Sequence, residues 1–380
     1  MSLVEVWRSA LRREVQGAVV LRHELHARPR LSGDELDTAV QVVEAIGSGP
    51  GRTVAATGRL LEIAPGPGRP VLLRTELDAL AVLERTAIAW ASPTGAMHAC
   101  GHDVHMAALV AVCRAARGLE LPAPLLALLQ PREEGVDSGA QDVVDEGGLR
   151  DVDAVVAAHV QPALPPGVIG VTPGSVNAGL DEFTITVRGR GGHSGYPHTV
   201  TDSVLALSAI VVALQQLGAR RIDPVVGVAC MVNRLCAGSA NNVAPEQAVG
   251  SGTVRTMREE DRRGARDALK DIAAHVAAAH DCTAEVEIAP GEPPLVNDWR
   301  LASRAHLLLE EMGHVVRTDW RSFGSDDFAN YGPHARALMM FVGTGEDSGR
   351  LHDPTFLPED SYVELVGEAL IAGYCAAVDS

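Results

Sequence analysis

Pro124-Leu-Leu-Ala-Leu-Leu-Gln-Pro-Arg-Glu-Glu-Gly135 is the stretch on which the fold turns. Leu125 to Leu129 is an unbroken apolar run, the pattern of a strand covered on both faces. It stops at a proline, an arginine, two adjacent carboxylates and a glycine. Ala154-Val-Val-Ala-Ala-His159 repeats the arrangement, an apolar run that ends on a histidine. Helical spacing fills the gaps: Val104 to Leu119 before the first run, and Gln141 to Glu146 between the two. Buried strands alternating with helices predict an α/β layer with a mainly parallel sheet flanked by helices.

The same pattern extends outward. Val4 to His26 and Thr38 to Ile46 read as helices, and Arg59 to Ile63 and Pro70 to Arg74 as strands. From about Asn177 the pattern changes. Glu182 to Arg188, Pro224 to Val232, Gln247 to Arg255 and Thr283 to Ile288 read as strands, with helices at Thr201 to Leu217 and Glu259 to His280. That order, β-α-β-β-α-β, is the ferredoxin-like α+β unit. After Pro293-Pro294 the first pattern resumes, with helices at Asp298 to Met312 and Ser361 to Val378 around a strand at Ala337 to Val342. The expected division is a discontinuous domain of residues 1–177 and 293–380, interrupted by an inserted domain at 178–292.

Composition narrows the function classes. The chain has 380 residues, 46% of them hydrophobic and only 3% aromatic, so its cores are built from Ala, Val and Leu. Its formal net charge is -17, and Lys270 is its only lysine. An acidic chain without a basic patch argues against nucleic acid and anionic membrane as partners. The start lacks the basic-then-apolar order of a signal peptide, and no run approaches the roughly 18 apolar residues of a membrane span, so the cytoplasm is the expected location. Cys100, Cys113, Cys230, Cys236, Cys282 and Cys375 are too irregularly spaced for a disulfide framework.

The chemistry concentrates at His98-Ala-Cys-Gly-His-Asp-Val-His105. Imidazole and thiolate are the side chains that bind zinc and its neighbours best. The glycine predicts a loop before a helix at Val104, in which Cys100 and His102 point into one cavity. Taken alone, the segment also reads as a polar turn capping that helix, with Asp103 as the cap. Glu133-Glu134, His159 and His352 add potential ligands in separate segments. In an open α/β sheet, ligands gather at the carboxyl ends of the strands. Of two adjacent glutamates there, one can hold a metal and the other move a proton. Alone, the pair reads as a solvated acidic turn and His159 as a core histidine. Gly189-Arg-Gly-Gly-His-Ser-Gly-Tyr-Pro-His198 lacks the glycine spacing of a dinucleotide site and is read as presenting His193. No Gly-x-Ser-x-Gly elbow or phosphate loop occurs.

In this order the segments resemble the dinuclear-metal aminoacylase/carboxypeptidase family, in the branch of hippurate hydrolase, N-acetyl-amino-acid deacetylases and plant indole-acetyl-amino-acid hydrolases. Met97-His-Ala-Cys-Gly-His-Asp-Val-His105 with Gln130-Pro-Arg-Glu-Glu-Gly135 carries most of the resemblance. Leu25 to Glu35, Leu73 to Leu80, Gly192 to His198, Asn242 to Pro245, Gly252 to Thr256, Gly324 to Phe328 and Leu351 to Pro354 also match. The resemblance implies two divalent metal ions, most readily zinc with manganese, cobalt or nickel as alternatives, held by Cys100, His102, Glu134, His159 and His352. It implies Glu133 as general acid/base, His193 as oxyanion donor in the same or the partner subunit, and Asn242 as a substrate contact. Arg234 is assigned to the substrate carboxylate on position alone. The implied insert is a lid that forms a homodimer. Glu76 stands where the family usually has Asp, and Ala81 where it has Pro.

The expected function is therefore metal-dependent hydrolysis of the amide bond of a small N-acyl amino acid by a metal-activated water. A metallo-dipeptidase on the same site and a non-catalytic acyl-amino-acid binding protein are the alternatives.

Overall fold

A computed structural model describes residues 2–135 and 137–379. The chain divides into two compact units. The first comprises 1–174, 296–320 and 327–380; the second comprises 175–295 and 321–326. The segment 321–326 was expected in the first unit. It joins the second because Ala178 donates its N–H to Ser322 O and Gly324 O, and Arg255 reaches Phe323 O at 2.9 Å.

The first unit begins with α1 (Leu3–His26), started by a capping box in which Ser2 and Glu5 bond each other's backbone N–H. It continues through α2 (Leu36–Ile46), β1 (Arg52–Val54), β2 (Gly58–Ala64), β3 (Val71–Glu76), α3 (His102–Ala115), β4 (Leu125–Gln130), α4 (Gly139–Asp145), β5 (Ala154–Gln161) and β6 (Val168–Gly170). The chain crosses to the second unit at β7 (Gly174–Asn177), which leads into β8 (Gly179–Arg188), β9 (Gly192–His193), α5 (Ser203–Leu214), β10 (Val228–Ala237), β11 (Val243–Ala244), β12 (Gln247–Thr256), α6 (Glu259–Ala279) and β13 (Thr283–Pro290). It returns at β14 (Leu295–Asn297) and closes with α7 (Trp299–Glu311), β15 (Val315–Arg317), β16 (Arg336–Gly343) and α8 (Tyr362–Asp379).

The main sheet has the order β1-β2-β4-β3-β5-β16-β6-β15. Its centre, β4-β3-β5-β16, is parallel throughout, and β2 adds to it antiparallel. The central strands are buried along nearly their whole length, which is why they read as continuous apolar runs. Helices α3 and α8 lie against β3 and β5 and are themselves almost wholly buried. Their alanines and valines let helix and sheet approach closely, and Trp7, Leu11, Leu21 and Leu25 of α1 complete this core. The register Val71↔Leu125 to Glu76↔Gln130 brings the carboxyl ends of β3 and β4 level. The site is built on that edge.

In the second unit β8, β10, β12 and β13 form an antiparallel sheet of order β10-β12-β8-β13, the ferredoxin-like arrangement. Phe183, Ile185 and Val187 of β8 alternate inward onto α5 and α6, where Leu207, Ile210, Leu269 and Ile272 meet them. Strand β10 starts at Val228, later than the expected 224. Asp223 folds the preceding residues into a turn by accepting from Val226 and Gly227 N–H, each at 3.0 Å.

Candidate metal centre

His159 lies near the end of β5. Its Nδ1 lies 2.6 Å from the Val160 carbonyl. A carbonyl only accepts, so the proton sits on Nδ1 and the Nε2 lone pair is left 3.5 Å from Cys100 Sγ. Burial, reinforced by His105, lowers the His159 pKa to about 3 and keeps the ring neutral. His102 is set by the same device: its Nδ1 donates to the Asp78 carbonyl at 2.8 Å. Its Nε2 is buried with no hydrogen-bond partner among the described residues, 3.8 Å from Glu133 Oε2. Two histidines presenting Nε2 with Nδ1 tied to a carbonyl are in the ligand tautomer.

Gly101 makes this geometry possible. Its φ is +85°, and a Cβ there would stand 2.4 Å from Val160 Cγ2. The bend lets α3 start at once, at His102 rather than Val104, with Gly101 as its N-cap and no side-chain cap. Asp103, the cap in the polar-turn reading, turns away to accept from Arg22 Nε at 3.1 Å and His26 Nδ1 at 3.0 Å.

Glu133 and Glu134 follow β4 as the neighbouring strand's turn. Ligand atoms of Cys100, His102 and Glu134 all lie within 4.8 Å of one another. His352 closes the group, its Nε2 3.4 Å from Glu134 Oε1. Its φ is +66°, an uncommon conformation for a non-glycine residue, and its N–H is bonded to Ala99 O at 2.8 Å. The structure thus brings Cys100, His102, Glu133, Glu134, His159 and His352 to one place in the first unit.

The electrostatics fit cations. Burial pushes the Cys100 thiol well above its usual range, and Glu134 and Glu133 push further. Against the effect of burial, Glu76, Asp78 and Glu134 raise the His102 pKa, so the surroundings favour positive charge where its orphaned Nε2 points. Thiol, imidazole and carboxylate donors of this kind suit divalent transition metals.

A buried polar layer supports these groups. His105 accepts the Val160 N–H through Nε2 and bonds Glu76 through Nδ1, each at 2.9 Å, so both ring nitrogens are occupied. Arg74 pairs with Glu76 and reaches Gln130 Oε1 at 2.8 Å and Asp327 Oδ1 at 3.0 Å. Asp78 Oδ2 takes Ser32 Oγ at 2.7 Å and the Glu134 N–H at 2.9 Å. The roles of Arg74, Gln130 and Asp327 were not read from the sequence. The available signal was Arg74 and Glu76 inside an otherwise apolar strand, since buried charges are rare unless paired. His98 is also buried, and burial lowers its pKa to about 3.

In the second unit, His193 and Asn242 sit together. Strands β9 and β11 pair His193 with Val243, and Ser194 donates its N–H to Asn242 O at 3.1 Å. The His193 ring is exposed, with Nδ1 accepting from Gly195 N–H at 3.0 Å. Arg234 lies elsewhere in this unit, on β10 opposite Ser251.

Residues 72–367 match the model of peptidase family M20/M25/M40. This chain belongs to that family. The relatives it resembles include N-acetylcysteine deacetylase of Bacillus subtilis (strain 168), 31% identical over 92% of this chain and 93% of the relative. Thermostable carboxypeptidase 1 of Saccharolobus solfataricus is 30% identical over 98% of each chain. Among solved structures, a dinuclear metal binding peptidase of the M20 family from Bacillus subtilis superposes with a TM-score of 0.84 and 29% identity, covering 97% of this chain and 98% of its own. The M20 fold in this chain is the two-unit arrangement described above, with the donor cluster at the carboxyl edge of its parallel sheet.

Proposed function

We propose that this M20 protein is a metal-dependent amidohydrolase that cleaves the amide bond of N-acyl amino acids. One observation carries the reading: donors from separate segments converge with His102 and His159 both in the ligand tautomer and the Glu133 carboxylate beside them. Cys100, His102, Glu134, His159 and His352 would hold two ions. Bound there, the ions supply Lewis acidity toward the acyl carbonyl and toward water. Zinc is the proposed metal; manganese, cobalt and nickel use overlapping donors.

Glu133 is the proton carrier in this reading. Its carboxylate takes a proton from the attacking water and returns it to the nitrogen of the departing amine. Asp78 and the Asp78 carbonyl orient Glu134 and His102, so neither needs to reorganise during the reaction. His193 is assigned to the oxyanion on the strength of the Gly192-His-Ser-Gly195 motif, Asn242 to the substrate, and Arg234 to the substrate carboxylate by residue type alone. A carboxypeptidase-named relative at 30% identity supports a second reading with the same chemistry on peptides.

A homodimer through the second unit is also proposed. Helix α5 exposes Val204, Leu205 and Val212, the last at 73%, and the edge strand β10 exposes Met231 and Leu235. Exposed apolar side chains and the edge position of β10 favour a second copy. All six cysteines are free, which fits a reducing compartment and the cytoplasm. Among the described residues, no helix is long and apolar enough to cross a membrane.

The test is release of free amine from acetyl, benzoyl and long-acyl amino acids and dipeptides, with metal content measured on the same sample. Hydrolysis of acyl amino acids by protein holding two ions supports the reading; cleavage of dipeptides alone transfers it to the second reading; full metal content without any turnover contradicts both.

A further inference from the structure

Glu35 stands at the N-cap of α2, where the helix dipole favours a carboxylate and a side-chain oxygen can bond the helix's own first N–H groups. It makes no such bond. Its side chain is fully buried. Oε1 accepts the N–H of Gly33 at 2.8 Å and of Arg132 at 2.9 Å, and Oε2 accepts the Thr57 hydroxyl at 2.8 Å. A buried carboxylate that ties its own loop to two other segments has a task away from its own helix.

The bond to Arg132 locates that task. Arg132 directly precedes Glu133 and has φ +55°, the left-handed region that side-chain-bearing residues rarely adopt. Its carbonyl accepts the Gly139 N–H at 3.2 Å, and its guanidinium pairs with Asp142. Glu35 takes the remaining backbone group, the N–H. On the far side of Glu133, Asp78 takes the Glu134 N–H. Glu133 is thus carried between two backbone N–H groups, each latched to a different buried carboxylate.

We propose that Glu35 is a positioning residue for Glu133: by holding the Arg132 N–H it fixes the left-handed bend that sets where the Glu133 carboxylate points. The inference rests on Glu133 as the proton carrier. Among the described residues, the hydrogen-bond partners of the Glu35 carboxylate are Gly33, Thr57 and Arg132, none of them assigned to the metals. It acts by accepting hydrogen bonds, so its oxygen matters and its charge does not.

The test uses the full-length, metal-loaded protein. Glu35→Ala lowers kcat on the order of 100-fold, the scale of a misplaced catalytic group. KM stays within about twofold, as for an interaction that matters only in the transition state, and metal content is unchanged. Glu35→Gln restores kcat to within a few-fold, because one amide oxygen can accept both N–H groups while its nitrogen donates to Thr57. Thr57→Val lowers Tm and leaves kcat unchanged, separating stability from positioning. If Glu35→Ala does not fold, Glu35→Asp, one methylene too short to span its partners, carries the same expectation. In a Glu133→Ala background the Glu35 change adds no further loss. Wild-type kcat in Glu35→Ala or Glu35→Asp overturns the proposal, as does a Glu35→Gln variant no better than Glu35→Ala, or a fall in metal content that accounts for the lost turnover. Those failures leave hydrolysis by the wild-type protein intact; absence of wild-type hydrolysis removes Glu133's role and this inference together.

Discussion

His105 accepts the Val160 N–H at 2.9 Å, and Val160 is the residue after His159. The bond fixes the His105 proton on Nδ1, where Glu76 receives it at 2.9 Å. Arg74, Glu76 and His105 thereby form a buried chain that ends on the backbone beside a proposed metal-holding histidine. His105→Ala leaves the Val160 N–H unsatisfied and costs about 1–3 kcal/mol. Chemical denaturation reads that loss, and metal analysis reads a lower affinity.

Arg74 is 0% exposed at its side chain and faces Glu76 and Asp327, both buried. Arg74→Met strands two carboxylates without their cation. Breaking such a pair from one side costs about 3–5 kcal/mol. The expected result is a large fall in Tm or loss of soluble protein, whatever the metal content of the medium.

Gly101→Ala places a Cβ against Val160 at 2.4 Å and a side chain on a left-handed backbone. Overpacking costs about 1–3 kcal/mol and the backbone about 1–2 more. Because Cys100 and His102 flank the position, metal content falls with stability, measured by elemental analysis and denaturation on the same variant.

A carboxyl and an imidazole, each paired with opposite charge, give opposite pH dependences. Burial raises the Asp181 carboxyl, but Arg266 and Arg262 outweigh it and hold the group below its ordinary value of 3.8. Its stabilisation is present above about pH 4 and lost as pH falls through the folded value. The stability gap between wild type and Asp181→Asn therefore narrows in acid. Burial lowers the His26 imidazole, but Asp103 and Glu84 outweigh it and lift the group above its ordinary value of 6.5. Its stabilisation is full below about pH 6.5 and fades as pH rises through the folded value, so the gap to His26→Asn narrows in alkali. Denaturant titrations across pH check both signs.

The layer architecture was legible because the central strands carry long apolar runs and the helices between them keep their period. Glu133, Glu134 and His159 were legible because they follow or close apolar runs, and Cys100 and His102 because they flank a glycine in a segment dense in imidazole and thiol. Short elements such as β1, β6 and β15 were not, because three residues carry no period. The Arg74–Asp327 contact joins residues 253 apart, and local spacing holds no trace of it. Glu35 was legible only as part of a matched segment; its reach to Arg132 across 97 residues belongs to tertiary structure.

Turnover and metal content of Glu133→Ala, measured side by side with wild type on N-acetyl amino acids, test the central claim most directly. The expected result is unchanged metal content with kcat reduced about 10²–10⁴-fold, the share of a general acid/base. Hydrolysis by Glu133→Ala within a few-fold of wild type, at equal metal content, contradicts it.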